Sequence, residues 1–231
     1  MSTTDRALRA GLWALPAYGV LLGLSTVTHQ PSIDDFDAYA EYITTDVFLI
    51  SHLGASILGT GLAILGAVAV TGYLVRGRTA GAAITGLVLT TIANVFMAAA
   101  FGSATFVQPG IGRAHLAGVP GMPALNDDTA YGPAFFATAL SASFVLMVAA
   151  IVLGVAIARA DHSLRWAGVA YAVLIPLFVI TGFTVQPAQP VAGFLLAAAT
   201  AALAVRLPRT PPAAPRGAGT LLGGRSGDQQ R

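Results

Sequence analysis

The sequence contains no cysteine and no lysine. Without cysteine there is no disulfide, no thiolate metal ligand and no cysteine nucleophile. Without lysine the chain cannot form a Schiff base, which excludes retinal-type and pyridoxal-type covalent chemistry. The sequence also lacks a P-loop, a GxSxG motif and the protein-kinase motifs. These absences exclude several large classes of enzyme.

Charge is also scarce. Charged residues make up 10% of the chain and hydrophobic residues 55%, whereas a soluble domain carries about 25% charged residues. So little charge cannot cover a surface that faces water, so lipid must be the solvent for much of the chain. The length allows about five or six spanning helices of about 20 residues each. The composition therefore predicts an all-α membrane protein.

Six apolar segments follow one another, at residues 10–28, 47–75, 80–107, 134–158, 166–185 and 188–205. The first is longer than the core of a signal peptide, and no small-residue cleavage site follows it, so we expect it to be a membrane helix. We predict a six-helix transmembrane domain over residues 1–206. The tail, residues 207–231, is rich in Pro and Gly without apolar periodicity, and we expect it to be disordered and cytoplasmic.

All twelve basic residues are arginine, and they predict an orientation. Eleven precede the first segment, follow the sixth, or lie in the two loops after the second and fourth segments. Only Arg113 lies in a loop of opposite parity. By the positive-inside rule, both termini are then cytoplasmic and the chain is a multi-pass protein of the cytoplasmic membrane. Arginines spread among membrane boundaries do not indicate a nucleic-acid partner.

Three Gln-Pro pairs recur at equal spacing. They begin at Gln30, Gln108 and Gln186, 78 residues apart, and each ends an odd-numbered apolar segment. This pattern fits three repeated helical hairpins, a plan found among transporters. It also fits the general frequency of proline just after helix ends. The sequence alone leaves both interpretations open.

Residues 29–54 form an acidic stretch. They hold five of the ten acidic residues in the chain: Asp34, Asp35, Asp37, Glu41 and Asp46. The predicted topology makes this stretch the first outward loop. Ser32 and Asp35 fit a capping box with Ser32 as the N-cap, so one interpretation is a short, solvated surface helix.

A second interpretation follows from helical periodicity. If one helix ran unbroken from this loop into the second segment, Asp37, Glu41, His52 and Ser56 would share one face. That face would lead from carboxylates, past a histidine, into a groove of small residues. A break near residues 44–45 would separate the carboxylates from the histidine.

His52 is the one ionisable side chain clearly inside a predicted membrane segment, which makes it a functional candidate. Alternatively, it is a neutral imidazole that bonds within the bundle. We predict His52, Glu41 and Asp46 as catalytic residues, with a carboxylate acting as acid or base or orienting the imidazole.

Five further residues are predicted ligand contacts: Asp37, Ser56, Asn94, Arg113 and His115. Asn94 lies near the middle of the third segment, where an amide either joins helices or contacts a ligand. Arg113 and His115 belong to the long second outward loop, residues 109–133, which is rich in Gly and Pro. That loop is either a lid over a cavity or a flexible linker.

We expect no bound metal or other cofactor. His29, His52 and His115 lie on the outward half, and imidazole is a good ligand for transition metals and haem. However, no HxH, HxxxH or HExxH spacing occurs, and a metal motif depends on such local spacing.

Three functions remain open. The first is a membrane enzyme or binding protein for a membrane lipid or small apolar ligand, held in an outward-facing pocket. The second is a transporter or channel subunit, which a through-going cavity near Asn94 would favour. The third is an accessory subunit, which an exposed apolar groove at Gly59 and Ala63 would favour. A homo-oligomer and a partner subunit both stay compatible with the sequence.

Overall fold

A computed structural model describes residues 3–28 and 30–207, and all regular structure in these ranges is helical. Six helical stretches are long and apolar enough to cross a membrane: Thr3–Ser25, Asp46–Leu74, Ala80–Leu116, Pro133–Ala160, His162–Thr184 and Gln186–Arg206. Each corresponds to one apolar segment, so the prediction of an all-α protein with six such helices is confirmed. His29 lies outside the described residues. So does the predicted tail, except for Leu207.

The described part of the chain contains eleven α-helices, nine of which, together with shorter helical turns, make up the six stretches. The eleven helices are α1 (Thr3–Leu12), α2 (Ala14–Ser25), α3 (Phe36–Ile43), α4 (Asp46–Ile50), α5 (Leu58–Leu74), α6 (Ala80–Phe106), α7 (Gln108–Leu116), α8 (Met122–Asp128), α9 (Pro133–Ala160), α10 (Arg165–Thr184) and α11 (Gln189–Arg206). A π-helix, Ser51–Ile57, joins α4 to α5. Short 3-10 turns, His162–Leu164 and Gln186–Ala188, precede α10 and α11.

The connections group at two ends of the bundle. At one end, which we call the arginine end, Arg78 Nε donates to the carbonyl oxygen of Arg159 at 3.0 Å. At the other, the Gln-Pro end, Gln30 Nε2 donates to Tyr131 Oη at 3.4 Å. Side chains of the two glutamine-proline segments around residues 30 and 186 also line one common cavity there.

Small residues let the long helices approach closely. A Cβ atom at Gly193 of α11 would lie 2.5 Å from the backbone nitrogen of Gly23 in α2. A Cβ atom at Gly168 of α10 would lie 2.6 Å from the carbonyl oxygen of Gly154 in α9. Such contacts give membrane helices close van der Waals packing in lipid, where apolar burial favours association little.

The acidic stretch does not form one continuous helix. Helix α3 ends at Ile43, and Thr45, whose backbone is extended, is the N-cap of α4, with its Oγ1 accepting from the N–H of Phe48 at 3.2 Å. The break occurs because Thr45 supplies a new N-cap. The single face that would have connected Asp37 and Glu41 to the intramembrane segment is therefore not formed.

The predicted N-cap of the first short helix was wrong. Asp35, not Ser32, caps α3, because Asp35 Oδ1 accepts from the N–H of Ala38 at 3.2 Å. Ser32 instead donates its hydroxyl to Asp34 Oδ2 at 3.0 Å. Aspartate is as good an N-cap as serine. The helix can therefore begin after Asp35, the later of the two candidates, instead of after Ser32.

The connection over residues 109–133 is largely helical and is therefore not a flexible linker, whereas the lid interpretation stays a prediction. Pro109 stands in the first turn of α7, where proline is favoured because its missing N–H has no partner there anyway. Gly118 and Gly121, both at φ 80°, form the turn between α7 and α8. Helix α7 packs on α3, so the two helices form a structured cap.

The three equally spaced Gln-Pro pairs have different local structures. Gln30-Pro31 lies in irregular chain, Gln108-Pro109 starts α7, and Gln186-Pro187 forms a 3-10 turn. The three-hairpin repeat stays a prediction.

Candidate functional site

A cavity of about 680 Å³ lies in the half of the bundle toward the Gln-Pro end. Helices α2, α5, α6, α9, α10 and α11 all contribute to its wall, together with the π-helix. Binding sites for small molecules usually enclose about 300–1,000 Å³. The cavity is therefore large enough for a small organic ligand.

The π-helix supplies three polar side chains of the wall: Ser51, His52 and Ser56. In a π-helix each carbonyl bonds the N–H five residues later, so every turn carries more residues than an α-turn. The hydroxyl of Ser56 donates to the carbonyl oxygen of Ser51, also five residues apart, at 3.3 Å. π-helices are rare and often occur at functional sites.

The imidazole of His52 is fixed by its own helix and by two aromatic rings. Its Nδ1 lies 3.0 Å from the carbonyl oxygen of Phe48 and 3.2 Å from Ser51 Oγ. The ring centroids of His52 and Phe48 are 4.1 Å apart, and Phe101 meets the imidazole edge-on at 6.4 Å. His52 is half-buried in the cavity wall.

Asn94 is the deepest-buried amide in this wall, with 1% of its surface exposed. Its Nδ2 donates to the carbonyl oxygen of Thr90 at 2.8 Å, while its Oδ1 has no partner among the described residues. A buried polar atom left unpaired costs about 1–3 kcal/mol. Asn94 lines the cavity, so this unpaired oxygen lies close to the space that a ligand would occupy.

The remaining wall is neutral. Among the described residues that line the cavity, none is Asp, Glu or Arg. The hydroxyls of Thr26 and Thr60 donate to carbonyl oxygens of their own helices, of Leu22 at 3.1 Å and of Ile57 at 2.7 Å. Apolar side chains complete the surface: Leu22, Met97, Phe101, Leu146, Ile175, Phe178 and Val179.

The structure brings together three of the predicted site residues, His52, Ser56 and Asn94. Glu41 and Asp46 are exposed and do not line the cavity. The helix break after α3 places them at the surface. Their predicted role as acid or base therefore has no geometric support in this arrangement.

Asp37 and His115 meet each other rather than the cavity. His115 Nε2 lies 2.6 Å from Asp37 Oδ1, and Phe36 contacts the imidazole edge-on at 4.8 Å between ring centroids. Arg113 is exposed. The aspartate–histidine contact joins α3 to α7 and so stabilises the cap.

A buried aromatic cluster joins helix α3 of the cap to α4 and α6. Tyr39 and Phe48 are fully buried in it, and burial raises the pKa of Tyr39 far above its ordinary value. The amides of Gln108 and Asn126 are also fully buried. Since Phe48 stacks on His52, the cap and the cavity wall are continuous.

Sequence reasoning missed several polar residues of the cavity: Tyr18, Tyr42, Gln30, Gln186 and Gln189. The recurring Gln-Pro pairs were a signal for Gln30 and Gln186, because both glutamines lie at the same end of the bundle. Gln189 links α11 to α10 by donating from Nε2 to the carbonyl oxygen of Phe178 at 3.2 Å. Nothing in the sequence distinguishes Tyr18 from a core tyrosine.

Within residues 3–28 and 30–207, no three His, Asp or Glu side chains lie close enough together to hold a metal ion. His29 is not among these residues. The expectation that the protein binds no metal, haem or other cofactor stays a prediction from the sequence.

A scan against protein-family models, a search of curated proteins and a search of solved structures find no match to this chain.

Proposed function

We propose that this protein binds a neutral, lipid-soluble small molecule in the cavity beside His52. The observation that carries the proposal is the composition of the wall, which combines apolar side chains with a half-buried imidazole and the unpartnered Oδ1 of Asn94. A charged ligand would find no counter-ion among the described lining residues, and an unpaired buried charge is costly.

Binding is better supported than turnover. General acid–base catalysis needs a donor and an acceptor within hydrogen-bond reach of the substrate. Glu41 and Asp46, the carboxylates nearest in sequence, are both exposed outside the cavity. His52 alone supplies a titratable group to the described wall, apart from the phenols of Tyr18 and Tyr42.

The two alternatives, a transporter or channel subunit and an accessory subunit, have less support. The described lining residues reach no farther than about Asn94, and about 21 Å of α6 separates Asn94 from Ala80 at the arginine end. Gly59 and Ala63 are buried, and a Cβ atom at Gly59 would contact the ring of Tyr18 at 3.5 Å. They therefore do not form an exposed groove.

The orientation that the arginines favour would place the Gln-Pro end, and with it the cavity mouth, on the outer side of the cytoplasmic membrane. We propose this orientation, with both termini cytoplasmic. A ligand would then enter from the outer leaflet or from the outer aqueous side.

A cavity-filling substitution tests the function. Ser56→Leu places an apolar branch into the space beside His52, whereas Ser141→Leu makes the same change at an exposed position of α9 that does not line the cavity. We expect organic extracts of the purified wild-type and Ser141→Leu proteins to contain one neutral molecule in near-stoichiometric amount, measured by mass spectrometry. The Ser56→Leu extract should lack it. Identical extracts from all three proteins would contradict ligand binding in this cavity.

A further inference from the structure

Two polar atoms on the side of the cavity formed by the π-helix and α6, His52 Nε2 and Asn94 Oδ1, have no partner among the described residues, and both are hydrogen-bond acceptors. The carbonyl oxygen of Phe48, 3.0 Å from His52 Nδ1, can only accept a hydrogen bond. In the neutral imidazole, Nδ1 therefore carries the proton, and Nε2 is left as a bare acceptor. The hydroxyl of Ser51 is no alternative donor to Nδ1, because it donates to the same carbonyl oxygen at 2.9 Å.

The same reasoning applies to Asn94. Its amide nitrogen must face the carbonyl oxygen of Thr90 at 2.8 Å, because the opposite amide orientation would set two acceptors against each other. Oδ1 is then the atom without a partner. No described residue supplies this oxygen with a donor.

The nearby hydroxyls do not supply that donor. The hydroxyls of Ser56 and Thr60 donate hydrogen bonds to the carbonyl oxygens of Ser51 and Ile57, respectively. Toward the cavity these two hydroxyl oxygens can therefore only accept hydrogen bonds. The wall between the π-helix and α6 therefore offers acceptors and lacks matching hydrogens.

From this we infer, resting on the proposed function, that the ligand carries a hydrogen-bond donor on an apolar body. A phenol or an alcohol of suitable size fits, with its O–H directed at His52 Nε2 or Asn94 Oδ1. Against the π-helix and α6, the ketone, quinone or ether of the same skeleton brings only further lone pairs. It would leave both protein atoms unpaired, and discrimination against it follows from that cost.

The test compares a fluorinated naphthol with its methyl ether, which share one ring system and differ in the donor. Binding to the full chain in lipid nanodiscs is followed by fluorine NMR, with empty nanodiscs to subtract partition into lipid. We expect the wild-type protein to bind the naphthol about tenfold more tightly than the ether, the value of one hydrogen bond.

Two variants locate the effect. His52→Phe and Asn94→Leu keep the approximate volume and remove one acceptor each. At least one of them should lose the preference for the naphthol while keeping the affinity for the ether, which shows that the variant is folded. Ser141→Leu, outside the cavity, should behave as wild type.

Failure of the donor inference and failure of the proposed function would give different results. Equal wild-type affinity for the two probes, or a preference that survives in both variants, would overturn the donor inference while leaving ligand binding in place. Signals identical to those of empty nanodiscs for both probes would overturn the proposed function as well.

Discussion

The carboxylates of the acidic stretch and the imidazole of His52 differ in what surrounds them. Asp35 and Glu41 are exposed, and an exposed charge contributes only about 0–1 kcal/mol to an ion pair. Asp35 has an identified structural task, which is to cap α3. His52 is held against Phe48 in a cavity wall. The residues that concentrate charge are therefore not those that form the cavity.

Three substitutions separate these roles. Glu41→Gln removes an exposed charge and should leave both ligand content and thermal stability unchanged. Asp35→Asn should also be tolerated, because asparagine caps a helix as well as aspartate does. His52→Ala should abolish retention of the ligand, measured by mass spectrometry of the purified proteins. Loss of ligand in Glu41→Gln would restore a role for the carboxylate.

At the scale of elements, two features position the site. The π-helix turns Ser51, His52 and Ser56 toward the cavity. On the opposite side, α2 and α11 approach so closely that Gly23 meets Gly193 backbone to backbone. This contact leaves no room for a side chain, and α2 also packs against the π-helix.

The close contact predicts an asymmetry among glycines. In Gly193→Ala the new Cβ would meet the backbone nitrogen of Gly23 at 2.5 Å, and backbone cannot move aside as a flexible side chain can. We expect a loss of about 1–3 kcal/mol from overpacking, seen as a lower thermal midpoint in detergent. Gly61→Ala in α5 is the matched control, since nothing lies within 4 Å of its Cβ position. It should be neutral or slightly stabilising, because alanine favours helix. Equal midpoints would contradict the packing of α2 on α11.

At the scale of the whole molecule, hydropathy predicted the six long helices, since length and apolarity are local properties of a segment. His52, Ser56 and Asn94 could be singled out because polar side chains are rare inside membrane segments. The break at Thr44–Thr45 and the π-helix depend on a choice between competing caps and hydrogen-bond registers, which periodicity does not resolve. The cavity itself needs all six spans together, so its mouth residues, Gln189 among them, could not be predicted.

Orientation in the membrane is tested by cysteines introduced into this cysteine-free chain. Ser32 at the Gln-Pro end and Ser163 at the arginine end are both exposed, so each tolerates a reporter. With intact cells and a membrane-impermeant maleimide, Ser32→Cys should be labelled. Ser163→Cys should react only after lysis, because the arginine-rich loops are retained on the cytoplasmic side.

The reverse labelling pattern would overturn the orientation, and partial labelling of both cysteines in intact cells would indicate that the chain inserts both ways. Either result would also change the route to the cavity. Its mouth lies at the same end as Gln30 and Gln186, so a cytoplasmic Gln-Pro end would require the ligand to enter from the inner leaflet or the cytosol. The binding chemistry of His52 and Asn94 would be unaffected, because it depends on contacts within the bundle.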